Sequence, residues 1–471
     1  MTRIKSPNYA NENLYDLKVS FVLFVSIIRD IREKKEVTMR SYFQKDALIA
    51  VSALAKETAI NTEHALDTGM LCDLDSLPEI DARRESNIDE ATGKEEADIL
   101  YDLGGVSALT MTFPKLQAQH MAFIGAYGLG TRSVADGGVA GKIHTITPIA
   151  GDLEAARSNP SFTLGARWGK QLEKRLFASM FIDEFTLSLA RDTWAVHKAN
   201  IKGTGKNSTN LFKETVNAAY NATTLNLLAK GVAGSTTQER LDNVHYIRVK
   251  VPTTSQWADV ICTAASAAVP AVLTITPAGG VATLCDYEII YNQAETGVYT
   301  WCSFPNRVEE DPIRVSDFMI NIGGKWDGSA LTGGHSMAAD INSVEWTFRN
   351  KLVPDFTPGG GTYAYANRAL REGREQTLML DRQFRDYIFG QRFADIEYFT
   401  FYAIAEGEIM PGETTHKYTI KIVFPRVSVK ERPRGRDRGR LVEKVALDIL
   451  EDDTFGSVKL IVENQVATYA A

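Results

Sequence analysis

The sequence predicts a mainly β protein, and two features of the last third of the chain carry that prediction. Apolar Val344, Trp346 and Phe348 alternate with polar residues between Ser343 and Asn350. This period of two is typical of a strand with one buried face. Similar runs, rich in β-branched and aromatic residues, recur through the rest of the chain's last third. We therefore expect a packed sheet with one short helix against it.

Each predicted strand is a short run of this kind, bounded by turn residues. The strands are predicted at 106–113, 143–149, 161–167, 181–190, 194–201, 318–322, 343–350, 376–380, 396–403, 418–424, 441–450 and 458–463. A helix is predicted at 116–127, ended by Gly128. Another is predicted at 381–389, with Asp381 as its N-cap. The glycines in 125–130 fit no nucleotide-binding loop, because neither their spacing nor a βαβ context matches one.

The middle of the chain has a different pattern, which predicts an inserted domain. A turn-rich break at 203–208 precedes a helical or mixed segment at 208–231. Short β-like runs then fill 245–304, as in a small β-sandwich, and the flanking pattern resumes near Ile313. The expected domains are an N-terminal arm at 1–59, a β-domain in two halves at 60–205 and 311–471, and the inserted β-sandwich at 206–310.

The N-terminal segment is unusual in two respects. Its apolar run at 19–28 is too short to span a bilayer, and no small-residue cleavage site follows it. The codons for Lys-Glu-Val in 34–38 can spell a ribosome-binding sequence just before Met39. We hypothesise that translation naturally starts at Met39. Residues 1–38 would then be an over-called leader, which is not part of the native protein. An ordinary flexible arm is the alternative.

Composition narrows the classes of function. The 471 residues carry a net charge of -7, which argues against a broadly basic surface for nucleic acid. None of the four cysteines forms a CxxC pair, so we expect no zinc site. Reduced, buried thiols are favoured, and a disulfide among Cys262, Cys285 and Cys302 is the alternative.

Two charged segments stand out. The acidic segment, 73–102, is interpreted as a solvated loop or as an acidic surface on an assembly, with metal binding a weaker option because EF-hand spacing is absent. The basic hairpin, 430–440, is expected to pair with an acidic surface on a neighbouring molecule, or else to be a solvated loop. A nucleic-acid contact is disfavoured, because no aromatic residue interleaves with the arginines. The suspected inter-subunit contact residues are Arg434, Arg436, Arg438, Asp89, Glu95 and Glu96.

No catalytic constellation accompanies these features. The seven histidines are scattered, and the chain has no HExxH, GxSxG or kinase signature. The carboxylates that lie near one another fall in predicted loops, where solvation is the usual reason for them. We therefore expect a protein that is not an enzyme and that needs no cofactor or metal.

Several segments together resemble the tail tube (major tail) proteins of long-tailed bacteriophages. They are the strand followed by Gly-Gly-Lys-Trp-Asp-Gly at 323–328, the strand ending at Arg349-Asn350, and the Gly-rich loop at 359–361. The segment Arg-Glu-Gln-Thr-Leu-Met-Leu at 374–380 and the predicted helix at 381–389 continue the pattern, and 172–175 with 185–190 resemble the first half of the same fold. The resemblance covers roughly 60–205 and 310–471.

The resemblance implies a structural virion protein. In that family a β-sandwich flanked by a helix forms hexameric rings, and stacked rings make a tube whose lumen conducts DNA to the host cell. An added Ig-like module is common, so 206–310 is expected to be one. The implied partners are further copies of the chain, the tape measure, tail terminator and distal tail proteins, and viral DNA passing without sequence-specific binding. The implied location is the virion, after synthesis in the bacterial cytoplasm, with no membrane association.

Two other functional classes remain open at this point. One is another virion or surface assembly protein with β-sandwich domains, such as a capsid-decorating or adhesin-like module. The other is a soluble carbohydrate-binding protein or hydrolase.

Overall fold

The structure, a computed structural model, describes residues 47–73, 75–91, 93–149, 159–168, 173–294, 302–307, 309–337 and 340–470. These residues belong to one compact unit, Ala47–Ala471. The predicted leader 1–38 and the proposed start at Met39 lie outside the described residues.

Strands make up 53% of the structure and helices 7%, which confirms the mainly β prediction. The strands of the first half are β1 (Leu48–Val51), β2 (Thr68–Met70), β3 (Glu79–Ser86), β4 (Leu100–Phe113), β5 (Gly130–Asp136), β6 (Lys142–Pro148), β7 (Phe162–Trp168), β8 (Glu173–Ala190), β9 (Val196–Gly203) and β10 (Asn207–Thr209). The middle strands are β11 (Leu211–Ala219), β12 (Thr224–Asn226), β13 (Val244–Lys250), β14 (Trp257–Asp259), β15 (Cys262–Ala265), β16 (Val272–Ile275) and β17 (Leu284–Asn292).

The last third supplies the remaining strands. They are β18 (Phe318–Ile322), β19 (Lys325–Trp326), β20 (Leu331–Thr332), β21 (His335–Ser336), β22 (Ile341–Arg349), β23 (Leu352–Asp355), β24 (Arg368–Arg371), β25 (Glu375–Gln383), β26 (Phe399–Ile409), β27 (Lys417–Glu431), β28 (Arg434–Asp437), β29 (Arg440–Leu450) and β30 (Lys459–Asn464). The helices are α1 (Ala118–Leu129), α2 (Thr237–Asp242) and α3 (Ile388–Ala394), with a 3-10 turn at Val315–Asp317.

One path of eight antiparallel strands organises the main sheet. Its order is β3, β4, β9, β8, β22, β25, β29 and β28. Within the path, β8 also pairs with β7 and β29 also pairs with β27, which in turn pairs with β30, so the sheet continues around the core. Because β22 pairs with β8, and β30 with β6, segments far apart in sequence share one sheet.

Helix α1 lies inside this sheet, and all twelve of its residues are buried. It contacts β8 and β9 as well as β6 and β30. Two glycines permit the close approach: a Cβ on Gly125 would lie 2.5 Å from Leu460, and one on Gly128 would lie 2.9 Å from the Phe185 ring. The predicted stop at Gly128 is wrong, since the helix continues to Leu129 and Gly130, with φ of 95°, is its C-cap.

A second hydrophobic core lies in the middle of the chain. It is centred on buried Tyr287, Ile289 and Leu273 and is separate from the main core. Two small sheets enclose it, one of β11, β17, β13 and β14, the other of β12, β16 and β15. The helical or mixed segment predicted at 208–231 is instead strands β10 to β12.

The helix predicted at 381–389 is wrong in position. Asp381 lies inside strand β25, and the helix α3 begins only at Ile388. The strand continues because Leu378, Leu380 and Arg382 all point to the buried face, as a period of two requires. Pairing with both β22 and β29 fixes that register.

Candidate assembly surfaces

One face of the eight-strand path is polar and lies opposite the main core. Successive strands contribute Thr110, Asn200, Glu184, Arg349 and Glu375 to one row across this face. The next row is Thr112, Lys198, Thr186, Thr347 and Thr377. Arg349 Nε donates to Glu184 at 2.5 Å, and the hydroxyls of Thr186 and Thr347 are 3.0 Å apart. Such cross-strand pairs stabilise the sheet while keeping its face hydrophilic.

The β3 end of the polar face is acidic. A shallow groove of about 770 Å3 lies there, lined by five carboxylates and two basic side chains. The charged residues are Asp75, Glu79, Asp81, Asp183, Glu184, Lys202 and Arg349. An anionic polymer is repelled by such a surface, so the groove is poorly suited to holding phosphate.

Both ends of the eight-strand path have an open edge. Strand β3 pairs with β4 alone, and β28 pairs with β29 alone, among the residues that the structure describes. All residues of β28 are exposed, and seven of the eight in β3 are exposed as well. An open edge offers unpaired N–H and C=O groups to another strand.

The acidic segment is more ordered than the predicted loop. Its first part is strand β3, and its last residues begin β4. Between them lies the acidic loop, defined as residues 87–91 and 93–99. Buried Asn87 organises the loop: its Oδ1 accepts from the backbone N–H groups of Asp98 and Ile99, each at 3.1 Å. Suspected contact residues Asp89, Glu95 and Glu96 all lie on this loop and are exposed.

The basic hairpin is formed by β28 and β29, with Arg438 and Gly439 at its tip. Arg434, Arg436 and Arg438 are all exposed, as a contact surface requires. No ion pair joins them to the acidic loop within the described part of one chain. The structure therefore leaves both charged surfaces open to other molecules, and the predicted contact between subunits stays a prediction.

A surface that sequence reasoning missed lies beside the basic hairpin. We define the α3 face by its exposed side chains Tyr387, Phe393, Ile396 and Tyr398. No single segment of sequence signals it, because the aromatic residues and the arginines meet only when α3 packs on β27. The expectation that no aromatic residue accompanies the arginines therefore holds along the chain but not in space.

Arginines stack on the rings of this region. Arg434 lies 4.5 Å from the Phe384 ring centroid, and Arg426 lies 4.3 Å from that of Tyr398. Arg432 lies 5.9 Å from Phe393. Stacking at these distances attracts the guanidinium to the ring and orients it.

A buried ion pair fixes the α3 face to the basic hairpin. Arg382, which is fully buried, donates from Nε to Glu443 of β29 at 2.6 Å. It also donates to Asp386, just before α3, at 2.9 Å. Arg382 holds the pKa of the Asp386 carboxyl below its usual range. One buried guanidinium therefore links the segment just before α3 to strand β29 of the hairpin.

A buried carboxyl and two buried histidines lie at the start of α1. Glu310 accepts from the backbone N–H of Gln119 at 2.7 Å, and burial raises its pKa to about 7. Burial also lowers the pKa of His120 and of His197 to about 3, so both rings are neutral at physiological pH. His120 stacks on Phe113 with centroids 4.1 Å apart. These groups support the core and have no solvent access.

The remaining candidate chemistry is sparse. Within the described ranges no group of three or more His, Cys, Asp or Glu residues could hold a metal ion. All four cysteines are free thiols, and burial raises the pKa of Cys72 to about 12. No helix in the described part of the chain is long and apolar enough to cross a membrane.

Comparison with known proteins adds no assignment. No model of a known protein family matches the sequence. A search of curated proteins likewise gave no match. The functional argument therefore rests on the surfaces described above.

Proposed function

We propose that the chain is a structural subunit of a phage tail tube, which forms hexameric rings that stack and conduct DNA. The observation that carries the proposal is the eight-strand antiparallel path with an open edge at each end. An open edge is a liability in a free protein unless a partner covers it. Identical subunits arranged in a ring would cover every such edge, as closure does in a barrel.

The direction of the two edges supports ring closure. Strands alternate in direction along the path, so an even number of them gives β3 and β28 opposite directions. A copy related by rotation presents its β3 to the first copy's β28 with antiparallel polarity. The ladder can then continue from one subunit to the next without interruption. Repeating one such contact generates a ring when the rotation closes.

The polar face supports a conduit. On the opposite face of the same strands, Trp346, Phe348 and Leu380 are buried in the main core. The sheet therefore has one solvent-exposed face and one buried face. Threonine and asparagine side chains and the Arg349–Glu184 ion pair line the polar face, and its β3 end is acidic. In a ring this face would line the lumen, where a surface that repels phosphate lets DNA pass without adhering.

The second core supports a separate module. Residues around Tyr287 and Leu273 form their own cluster, away from the eight-strand path. We assign this second core, which lies within the predicted domain 206–310, to an inserted Ig-like domain on the outside of the tube. The other tail proteins would then meet the ends of the tube.

Negative-stain electron microscopy of the purified full-length chain tests the proposal. We expect rings or stacked tubes with a central channel. A chain that stays monomeric at every concentration contradicts the proposal. Small closed oligomers without a channel favour another virion or surface assembly protein instead.

A further inference from the structure

We propose that the α3 face is a docking site for the acidic loop of a second copy of this chain. The proposal deepens the tube function and rests on it, because it names the side chains that would hold neighbouring subunits together. It adds an apolar centre to a contact that the sequence suggested through charge alone.

The α3 face has an exposed apolar centre. Ile396 is 70% exposed, and Phe393 beside it is 45% exposed. Ile396 also has φ of 51°, a left-handed conformation that is costly for a β-branched residue. Backbone strain that holds an isoleucine out in solvent is typical of a contact site rather than of a neutral surface.

Three arginines border the α3 face, and the exposed carboxylates of Asp395 and Glu397 flank Ile396, with Glu397 paired to Arg392 at 3.0 Å. Arg426, Arg432 and Arg434 each stack on an aromatic ring of the region. These contacts hold Arg432 beside Phe393, Arg426 beside Tyr398 and Arg434 beside Phe384. A partner with carboxylates around an apolar centre would fit the α3 face in both charge and polarity.

The acidic loop has that composition. Ile88 lies near the start of the loop and is 64% exposed, and Leu100, the first residue of β4, directly follows the loop and is 62% exposed. Between them lie Asp89, Glu95 and Glu96, which are exposed as well. Because Asn87 fixes the loop through its bonds to Asp98 and Ile99, little order has to be gained on binding.

The arrangement of the sheet edges brings the two surfaces toward each other. If β28 of one copy pairs antiparallel with β3 of the next, the end of β3 at Ser86 lies toward the start of β28 at Arg434. The acidic loop follows Ser86 directly, and Arg432 and Arg434 border the α3 face. One ring contact therefore engages the sheet edges and the α3 face together.

A nucleic acid is the less suitable occupant. The chain has a net charge of -7, and several rings near the α3 face already have an arginine on one side. Bases need open ring faces to stack on. Nothing in a nucleic acid would cover Ile396 as the side chains of Ile88 and Leu100 would.

The test uses two single substitutions and their combination in the full-length chain. Ile396→Glu places a negative charge at the centre of the α3 face, and Leu100→Lys places a positive charge directly after the acidic loop. Both side chains are mostly exposed, so the fold should tolerate them. We expect each single variant to weaken self-association about tenfold or more, measured by analytical ultracentrifugation. Val139→Glu, at a position 92% exposed, is the matched control and should associate as the wild type does.

The double variant separates this contact from a general loss of assembly. Each interface would then hold the introduced carboxylate of one copy opposite the introduced ammonium group of the next, and we expect association to recover at least partly. Wild-type association in both single variants, no recovery in the double variant, or a wild type that never associates overturns the proposal. Binding of a short single-stranded oligonucleotide that Ile396→Glu abolishes would overturn it in favour of nucleic acid. If the variants behave as expected but the oligomers lack a channel, the docking contact stands and the tube function fails.

Discussion

The buried carboxyl of Glu310 couples the stability of the core to pH. Its pKa is about 7 in the folded protein, against 4.5 for an unburied glutamate. Between these values the unfolded chain releases a proton that the folded protein keeps. Stability therefore falls as pH rises through this window, by up to ~3 kcal/mol. His120 and His197 act in the opposite sense, since their folded pKa values of about 3 disfavour the folded state as pH falls.

Glu310→Gln should remove this dependence, because an amide accepts the Gln119 hydrogen bond without titrating. The unfolding free energy of the variant should exceed that of the wild type by an amount that grows from pH 4.5 to pH 7, up to ~3 kcal/mol. Above pH 7 this difference should stay constant. Urea unfolding at a series of pH values measures the difference in unfolding free energy between the two proteins. The contributions of His120 and His197 cancel in that difference, because both proteins contain them. Glu309→Gln, at an exposed neighbouring position, is the control. Parallel pH profiles for wild type and Glu310→Gln would contradict the prediction.

At the scale of elements, helix α1 depends on small residues where it crosses the sheet. Gly128 approaches the Phe185 ring, which is confined by neighbouring rings. Its centroid lies 5.3 Å from that of the stacked Phe348 ring and 5.1 Å from that of the perpendicular Trp346 ring. Proteins pack their interiors too densely for an added side chain to be absorbed without displacement.

Gly128→Val should therefore destabilise the fold by roughly 1–3 kcal/mol, even though glycine itself is a poor helix former. Thermal unfolding measures the loss. Gly280→Val is the control, since a Cβ there meets nothing within 4 Å and the position is exposed. An unchanged melting temperature for Gly128→Val would mean that the Phe185 cluster can rearrange.

Elements also show where sequence reasoning succeeds and where it fails. Alternation at 343–350 predicts a strand, and β22 has that pattern of burial because one face packs on the core. The helix predicted at 381–389 is misplaced because Asp381 is a good N-cap residue in isolation. Pairing of β25 with two other strands overrides that local preference, and no short stretch of sequence contains the information.

At the scale of the whole molecule, the basic hairpin should matter for assembly and not for folding. Replacing Arg434, Arg436 and Arg438 with Ala removes three exposed positive charges. We expect far fewer rings and tubes by negative-stain microscopy, with a melting temperature close to that of the wild type. High salt should weaken wild-type assembly in the same direction, because screening reduces attraction between exposed charges.

The control for this variant removes exposed charges elsewhere. Lys417→Ala, at the start of β27, breaks an exposed pair with Glu406 that is remote from β28, so assembly should be unaffected. Normal tubes from the triple variant would refute the role of the basic hairpin. A large drop in its melting temperature would instead indicate that the Arg434 stack on Phe384 supports the fold.

Local sequence is enough to predict the mainly β class, the strand at 343–350 and the two charged segments. Alternation, turn residues and charge are all visible within a few neighbouring residues. Only the folded chain shows which strands end the eight-strand path, that α1 lies inside the sheet, and that aromatic residues around α3 meet the arginines of the basic hairpin. Those facts depend on pairing between residues far apart in the chain, such as Arg382 with Glu443, which sequence periodicity does not encode.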